Sequence, residues 1–409
     1  MAEGAEDRVI ALDLIRGVAV LGILVINISG FAGPTGASLD PHILGMGGFA
    51  DEVVFAGGLI LFEGKMRALF TMLFGASMVL FIERAEAAGR DGDVLQLRRL
   101  GWLALFGLLH YFLLWWGDIL FTFAVGGILA LFMRELPRRI LVMAALVIFA
   151  GWHLGGLEAS APQVASEERV RLGAGTPAEV NAEIRFINQI AANARREMAE
   201  YKLGFADQVA IKIEERPFWQ IEMTWPNLGE TLPLMMIGMA LYRGGFFTGG
   251  WSLARLRTMA LVGTAGGLTL TVPIVLWLWT RGFPPQATTA ALLYALAVPH
   301  LLMAAGYAAL LVMAVPRLAR TAIGRRLIAA GRMAFTNYIA TTILMTAIFY
   351  GWGLGLIGTI DRVQELGFVL LAWALMLGFS APWLAHFRQG PLEWLWRSLT
   401  ERQFLSIRR

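Results

Sequence analysis

Long apolar runs broken by short polar stretches set the pattern of this chain. They fall at about residues 9–31, 66–83, 99–117, 119–133, 138–156, 231–246, 258–279, 290–314, 333–356 and 366–385. Runs such as LIRGVAVLGILVINI and MALVGTAGGLTLTVPIVLWLW are apolar on every side and long enough for a bilayer, whereas a transmembrane β-strand would show short alternating segments. The pattern predicts an all-α protein, a polytopic transmembrane helical bundle of about ten spanning helices.

Two stretches depart from it. Between residues 157 and 230 the chain turns polar, and EVNAEIRFINQIAANARREMAEYKLGFADQVAIKI spaces Ile, Phe and Ala at helical intervals among mixed charges. This predicts two or three amphipathic helices outside the membrane, either a cap on the bundle or a gate. The chain then divides into a five-helix half at 1–156, an outer insertion at 157–230 and a second five-helix half at 231–409. Residues 32–65 form an outer loop rich in Gly and Pro. A single helix from Asp51 to Glu83 would be nearly 50 Å long, so Glu63-Gly64-Lys65 marks a break between an interfacial or re-entrant helix and the second span.

Composition sharpens this. Hydrophobic residues make up 57% of the chain and charged ones 16%, with a mean hydropathy of +0.63, which excludes a soluble protein of this size. The absence of cysteine excludes a disulfide framework, a thiol nucleophile and thiolate metal ligands. The acidic start, MAEGAEDR, has no small-residue cleavage site and leads into a helix carrying Asp13 and Arg16, so a retained helix is expected. Lys and Arg exceed Asp and Glu by 34 to 30. Their placement matters more than their sum and gives no sign of nucleic-acid binding. Arg84, Arg90, Arg98, Arg99, Arg134, Arg138, Arg139 and the arginines from 317 to 332 fall on one side, against Lys65, Arg281 and Arg362 on the other. The positive-inside rule puts the first side, and both termini, in the cytoplasm.

Polar residues within the apolar runs form two groups. In RRLGWLALFGLLHYFLLWWGDIL, His110 lies about 16 Å of helix from the Arg98/Arg99 pair, near mid-membrane, where an ionisable group requires a partner. Asp118 lies about 12 Å further on, too far for contact along one straight helix. Their pairing would need a break at Gly117 or a bridging water, and Glu63 is the rival partner. His110, Asp118 and Glu63 are the candidate catalytic set. Lys65 and Arg67 are the candidate substrate-binding cations beside them. The second group faces the cytoplasm: Arg16, Arg332 and Asn337 are the candidate cofactor-binding residues. Asp13 is three positions from Arg16 and available to neutralise it, Asn337 is expected to hydrogen-bond to another helix, and Glu393, Arg397, Trp394 and Trp396 mark the tail. His42, His153, His300 and His386 show no metal-ligand spacing, so no metal is expected.

The segments LDLIRGVAVLGILVINI, FEGKMRALFTMLFGAS, RRLGWLALFGLLHYFLLWWGDIL, LMMIGMALYRGGFF, GRMAFTNYI and GPLEWLWRSLT, in this order, resemble the YeiB-like family of bacterial inner-membrane proteins. Leu12-Asp13 followed by Arg16-Gly17 also resembles the start of the transmembrane acyltransferases that include heparan-alpha-glucosaminide N-acetyltransferase. That resemblance implies transfer of an acyl group from cytoplasmic acyl-CoA, as cosubstrate, to a small-molecule, lipid or glycan acceptor on the outer side. The acetyltransferase uses a histidine in the loop after its first helix. His42 holds a broadly similar place here among neighbours that do not match. A transporter of a small polar solute or proton, with His110, Asp118 and Glu63 as a relay, is the alternative. A scaffold whose buried polar groups only specify packing is the third class. Homo-oligomerisation is left open by the sequence.

Overall fold

The computed structural model describes residues 3–43 and 48–408, and its regular structure among them is helical, with one isolated bridge between Phe387 and Arg408. Residues 44–47 of the expected outer loop lie outside the described residues. The helices are α1 (Glu3–Ala32), α2 (Phe49–Leu61), α3 (Lys65–Ala87), α4 (Gly92–Leu113), α5 (Leu120–Met133), α6 (Arg138–Arg171), α7 (Pro177–Tyr201) and α8 (Phe205–Glu215). They continue with α9 (Trp219–Arg243), α10 (Leu253–Trp279), α11 (Pro285–Ala290), α12 (Ala297–Leu318), α13 (Ala322–Arg332), α14 (Ala334–Phe349), α15 (Arg362–His386) and α16 (Pro391–Glu401).

Each of the ten expected spans contains a helix, although 99–117 and 333–356 overrun α4 and α14 and 290–314 takes in the end of α11, a π turn and most of α12. Six segments are long and apolar enough to cross a membrane by length and composition: 10–32, 49–87, 138–171, 253–279, 297–318 and 362–386. α5 and α14 are apolar but shorter. α4 and α9 carry charges beside their apolar stretches. The chain is a multi-pass membrane protein. α1 runs through the middle and packs on α3, α12, α13, α14 and α15, while α3 with α9 and α10 with α12 form the other close pairs. One end of the bundle gathers Arg84, Arg90, Arg98 and Arg99 near α16 and is called here the basic end. The opposite end carries the insertion.

The break before α3 lies where Glu63-Gly64-Lys65 puts it, with Gly64 at φ +69°. A Cβ there would lie 1.9 Å from His300 Nδ1, so both the turn and the packing demand glycine. Lys65 is fully buried and its ammonium donates to Leu59 O at 2.6 Å, capping the carbonyl end of α2.

The insertion consists of the end of α6, then α7, α8 and the start of α9, so α6 and α9 run unbroken across residues 156 and 230. Thr176 and Glu179 form a capping box at the start of α7, with Pro177 in its first turn. Tyr201 stacks on Tyr350 with centroids 4.7 Å apart and accepts the Gly351 N–H through its carbonyl, tying the insertion to α14. On α8, Lys212 is buried and donates to Tyr111 O at 3.0 Å, while Arg216 pairs with Glu200 and accepts the Tyr111 hydroxyl at its own carbonyl.

Burial pushes Lys212 down to about 8 from an ordinary 10.5, against a weaker upward pull from Glu200. Between those two values the folded chain binds fewer protons at this site than the unfolded one, so the insertion docks more tightly as pH rises from about 8 to 10.5. Hydrogen exchange of α8 amides, corrected for the intrinsic rate, should slow across that window in the wild type and lose the dependence in Lys212→Met. Flat wild-type protection would contradict it.

Candidate functional site

Helix α4 ends at Leu113, four residues before Gly117, because the chain has better partners off the helix than on it. Leu114 and Trp115 both donate backbone N–H to His110 O, at 2.9 and 3.0 Å. The Trp115 ring then stacks on Phe31, centroids 4.0 Å apart, and its indole N–H reaches Gly30 O at 3.2 Å. Residues 114–119 fold back and bring Asp118 beside His110, with Nδ1 and Oδ1 2.9 Å apart. The pair that a straight helix would forbid is therefore a direct one, through a break earlier than Gly117 and with neither water nor Glu63 between.

The other Asp118 oxygen accepts the Phe121 N–H at 2.9 Å and so serves the start of α5. His110 Nε2 lies 3.0 Å from Thr342 Oγ1, giving a row of hydroxyl, imidazole and carboxylate. The carboxylate favours the proton on Nδ1, which turns the Nε2 lone pair to the Thr342 hydroxyl. Both acidic and imidazole side chains are sealed, at 0% and 1% exposure, and the imidazole packs on the Tyr338 ring at 5.0 Å.

In front of this pair is a cavity of 270 Å³ lined by Asn27, Glu63, Arg67, Trp115, Trp116, Asp118, Trp219, Gln220, Asn227 and Tyr338, among others. Glu63 faces it from the break before α3. Arg67 is held by Glu230 of α9 at 2.8 Å, not by Glu63. Lys65 points away, into its cap on α2, and is absent from this lining. Trp116, Trp219 and Gln220 line the cavity, while their Nε1, Nε1 and Nε2 N–H groups are buried away from it with no hydrogen-bond partner among the described residues. Such donors are costly unless something accepts from them.

Towards the basic end a second cavity, 160 Å³, is lined by Arg16, Arg332, Ser77, Arg99, Glu393 and Trp396 and by the apolar Val20, Phe70, Phe74 and Phe123. It shares Ile23, Ile119 and Tyr338 with the first. Arg16 and Arg332 thus face one space. Arg16 also pairs with Asp13 at 2.9 Å and donates to Ser77 at 2.9 Å, while Arg332 donates to Arg388 O at 3.0 Å. Asn337 is buried elsewhere: its amide donates to Ala330 O and to Ser380 Oγ of α15, both at 3.1 Å, the expected contact between helices. Glu393 accepts from Phe335 N, Thr336 N and the Thr336 hydroxyl, which ties α16 to the start of α14.

A third space, 460 Å³, opens at the basic end among Arg84, Arg90, Arg99, Arg397, Glu401 and Trp396 and shares Arg99, Glu393 and Trp396 with the second. A fourth, 180 Å³, lies between α1, α2 and the start of α15, and shares Ile26, Phe62 and Glu63 with the first. His42 takes part in none of these linings. It bonds Glu52 at 2.9 Å, which in turn accepts from Trp279 at 2.8 Å, joining the loop after α1 to α2 and α10.

Sequence reasoning missed Glu230, Asn27, Trp116 and the arginines that line the third space as site residues. Glu230 alone carried a signal, a lone carboxylate opening the apolar run ETLPLMMIGMA.

The family pattern described as Protein of unknown function (DUF418) matches residues 241–403. The Uncharacterized protein YeiB of Escherichia coli (strain K12) is 31% identical over 402 residues, covering 97% of each chain. The chain belongs to the YeiB-like DUF418 family. Two further relatives in line with this are the Uncharacterized protein YxaH of Bacillus subtilis (strain 168), 28% identical over 97% of this chain and 94% of its own, and the Uncharacterized 39.9 kDa protein in amylase 3'region of Bacillus acidopullulyticus, 25% identical over 98% and 96%. No solved structure matches the chain. In this member of the YeiB-like family, the match of the DUF418 pattern begins in α9 and so excludes Glu63, His110 and Asp118, whereas the relatives span them.

Proposed function

We propose that this protein is a membrane-embedded acyltransferase of the bacterial inner membrane, with the basic end and both termini cytoplasmic, that moves an acyl group from acyl-CoA to an acceptor at the outer side. The observation that carries the reading is a row of three neighbouring cavities that share wall residues, from the arginines of the basic end to Glu63 and Arg67. An acyl thioester entering from the cytoplasm has an apolar bore to follow and a polar chamber in which to react.

In that chamber Glu63 accepts the proton of the acceptor hydroxyl or amine as its oxygen or nitrogen attacks the thioester carbonyl carbon. Negative charge that develops on the carbonyl oxygen is met by the Arg67 guanidinium of the chamber wall. The C–S bond then breaks, the new C–O or C–N bond remains, and the thiolate leaves as coenzyme A after taking back the proton. The Asp118–His110 pair lies behind the wall and orients the loop 114–119 that forms it. Arg67 keeps its charge next to Glu63 through Glu230.

Purified protein in lipid nanodiscs should release free thiol from acyl-CoA in the presence of a suitable outer-face hydroxyl or amine acceptor. Transport of a small polar solute or proton is the second reading, favoured by the same succession of cavities with the Arg67–Glu230 pair on its wall. Solute flux into liposomes with no thioester consumed by any acceptor would decide for transport.

A further inference from the structure

Three of the four guanidinium groups around the 460 Å³ vestibule of the basic end have no carboxylate within ion-pair distance among the described residues. Arg90 is paired with Glu401 at 2.7 Å, and Glu393 is turned inward onto Phe335 and Thr336. Arg84 and Arg397 are exposed at the rim. The Arg99 guanidinium lies over two rings, its carbon 4.3 Å from the Trp396 centroid and 4.8 Å from that of Phe81, and its N–H donors carry no side-chain hydrogen bond among the described residues. Three unneutralised guanidiniums about one concavity repel one another, and a polyanion removes that cost. Directly beneath, Phe70, Phe74 and Phe123 line the narrow 160 Å³ bore.

We infer that the vestibule binds the phosphorylated end of an amphiphile through Arg84, Arg99 and Arg397, with the apolar part of the same molecule in the bore. The basic mouth and apolar bore fit a ligand with phosphates at one end and a chain at the other. Neither half alone explains the shared wall at Arg99 and Trp396. Two sources offer this chemistry, a nucleotide thioester and an anionic phospholipid, and the nucleotide form rests on the acyl-transfer reading.

The test uses the full chain in phosphatidylcholine nanodiscs. Adenosine 3′,5′-bisphosphate, the phosphorylated nucleotide without a chain, is titrated calorimetrically against the wild type, the Arg84→Gln/Arg397→Gln double variant and Arg243→Gln, a basic-end arginine outside the vestibule. Binding that weakens about 10-fold or more only in the double variant supports the site with a nucleotide occupant. In a parallel arm, phosphatidylglycerol is added and the lipid retained by the protein is measured by native mass spectrometry. Retention lost in the double variant, with no nucleotide binding, supports the site with a lipid occupant. If neither probe binds, or both bind the double variant as they bind the wild type, the inference is overturned. Thioester turnover is measured on the same samples. Turnover unchanged in the double variant, with nucleotide binding and lipid retention also unchanged, overturns the vestibule and leaves acyl transfer standing, whereas nucleotide binding without any turnover supports the vestibule and removes acyl transfer.

Discussion

Replacing Gly238 by valine is expected to abolish the accumulation of folded protein. Helices α3 and α9 cross so closely that a Cβ at Gly238 would lie 1.9 Å from Met72 O, and one at Gly75 would lie 2.1 Å from Met235 O. Both obstacles are backbone carbonyls, which cannot rotate aside as a side chain would. The surroundings offer no slack, because Met72, Met235, Met236 and Met239 are at most 1% exposed. In a membrane the association of helices depends on this kind of close approach, since lipid tails are as apolar as leucine. Relief would require the two helices to separate. Overpacking of a filled core costs about 1–3 kcal/mol even where the site relaxes, and a branched residue against two backbones exceeds what relaxes. The Arg67–Glu230 pair joins the same helices about 12 Å along the axis and would be strained by any such separation. Fluorescence-detected size-exclusion of tagged protein should show loss of the monodisperse peak for Gly238→Val, and none for Gly266→Ala, where nothing lies within 4 Å of the added carbon. A wild-type peak from Gly238→Val would show that the α3–α9 crossing is looser than drawn.

The difference between α3 and α4 shows what a sequence of this kind reveals. The start of α3 was legible because Gly64 sits between two charges, where an apolar run cannot continue without cost, and the break carries its own positive φ. The end of α4 was hidden. LLHYFLLWWG reads as uninterrupted membrane helix, and the reason it stops at Leu113 lies on α1, where Phe31 and Gly30 receive the Trp115 ring. A pairing decided by a residue 85 positions away leaves no local trace. His110 and Asp118 were therefore recognisable as anomalous polar residues, while their contact was not. The vestibule arginines were visible for a different purpose: their count served to predict an orientation, and only the fold shows that four of them line one space. Residues 322–332 lie between two expected spans, and there Thr321 caps Gly324 N and the stretch forms a helix against α1.

Glu63→Gln is expected to lower acyl transfer by about 10²–10³-fold while the protein folds as before. The first half follows from position. Glu63 is the carboxylate that lines both the 270 Å³ cavity and the 180 Å³ space beside α2, so in the proposed reaction an acceptor entering by that space meets it first. Removing a general base costs about 10²–10⁴ in rate, and a glutamine keeps the shape and accepts no proton. The second half follows from the turn. The backbone of residues 62–65 is held by Phe62 N to Gly58 O, Lys65 N to Glu63 O and the Lys65 ammonium on Leu59 O, none of which uses the Glu63 carboxylate. Asp118→Asn behaves oppositely: it leaves Glu63 in place but removes a buried charge-assisted partner of His110 and an acceptor at the head of α5, so its cost appears first in stability. Kinetics in nanodiscs separate the two. A fall in kcat with little change in KM for the thioester, partly restored by Glu63→Asp, is the signature of a base acting in the chamber. Undiminished kcat in Glu63→Gln, with loss of activity in Asp118→Asn at full folded yield, would transfer the role of base to the Asp118–His110 pair, which would then have to open past Tyr338 to reach the acceptor.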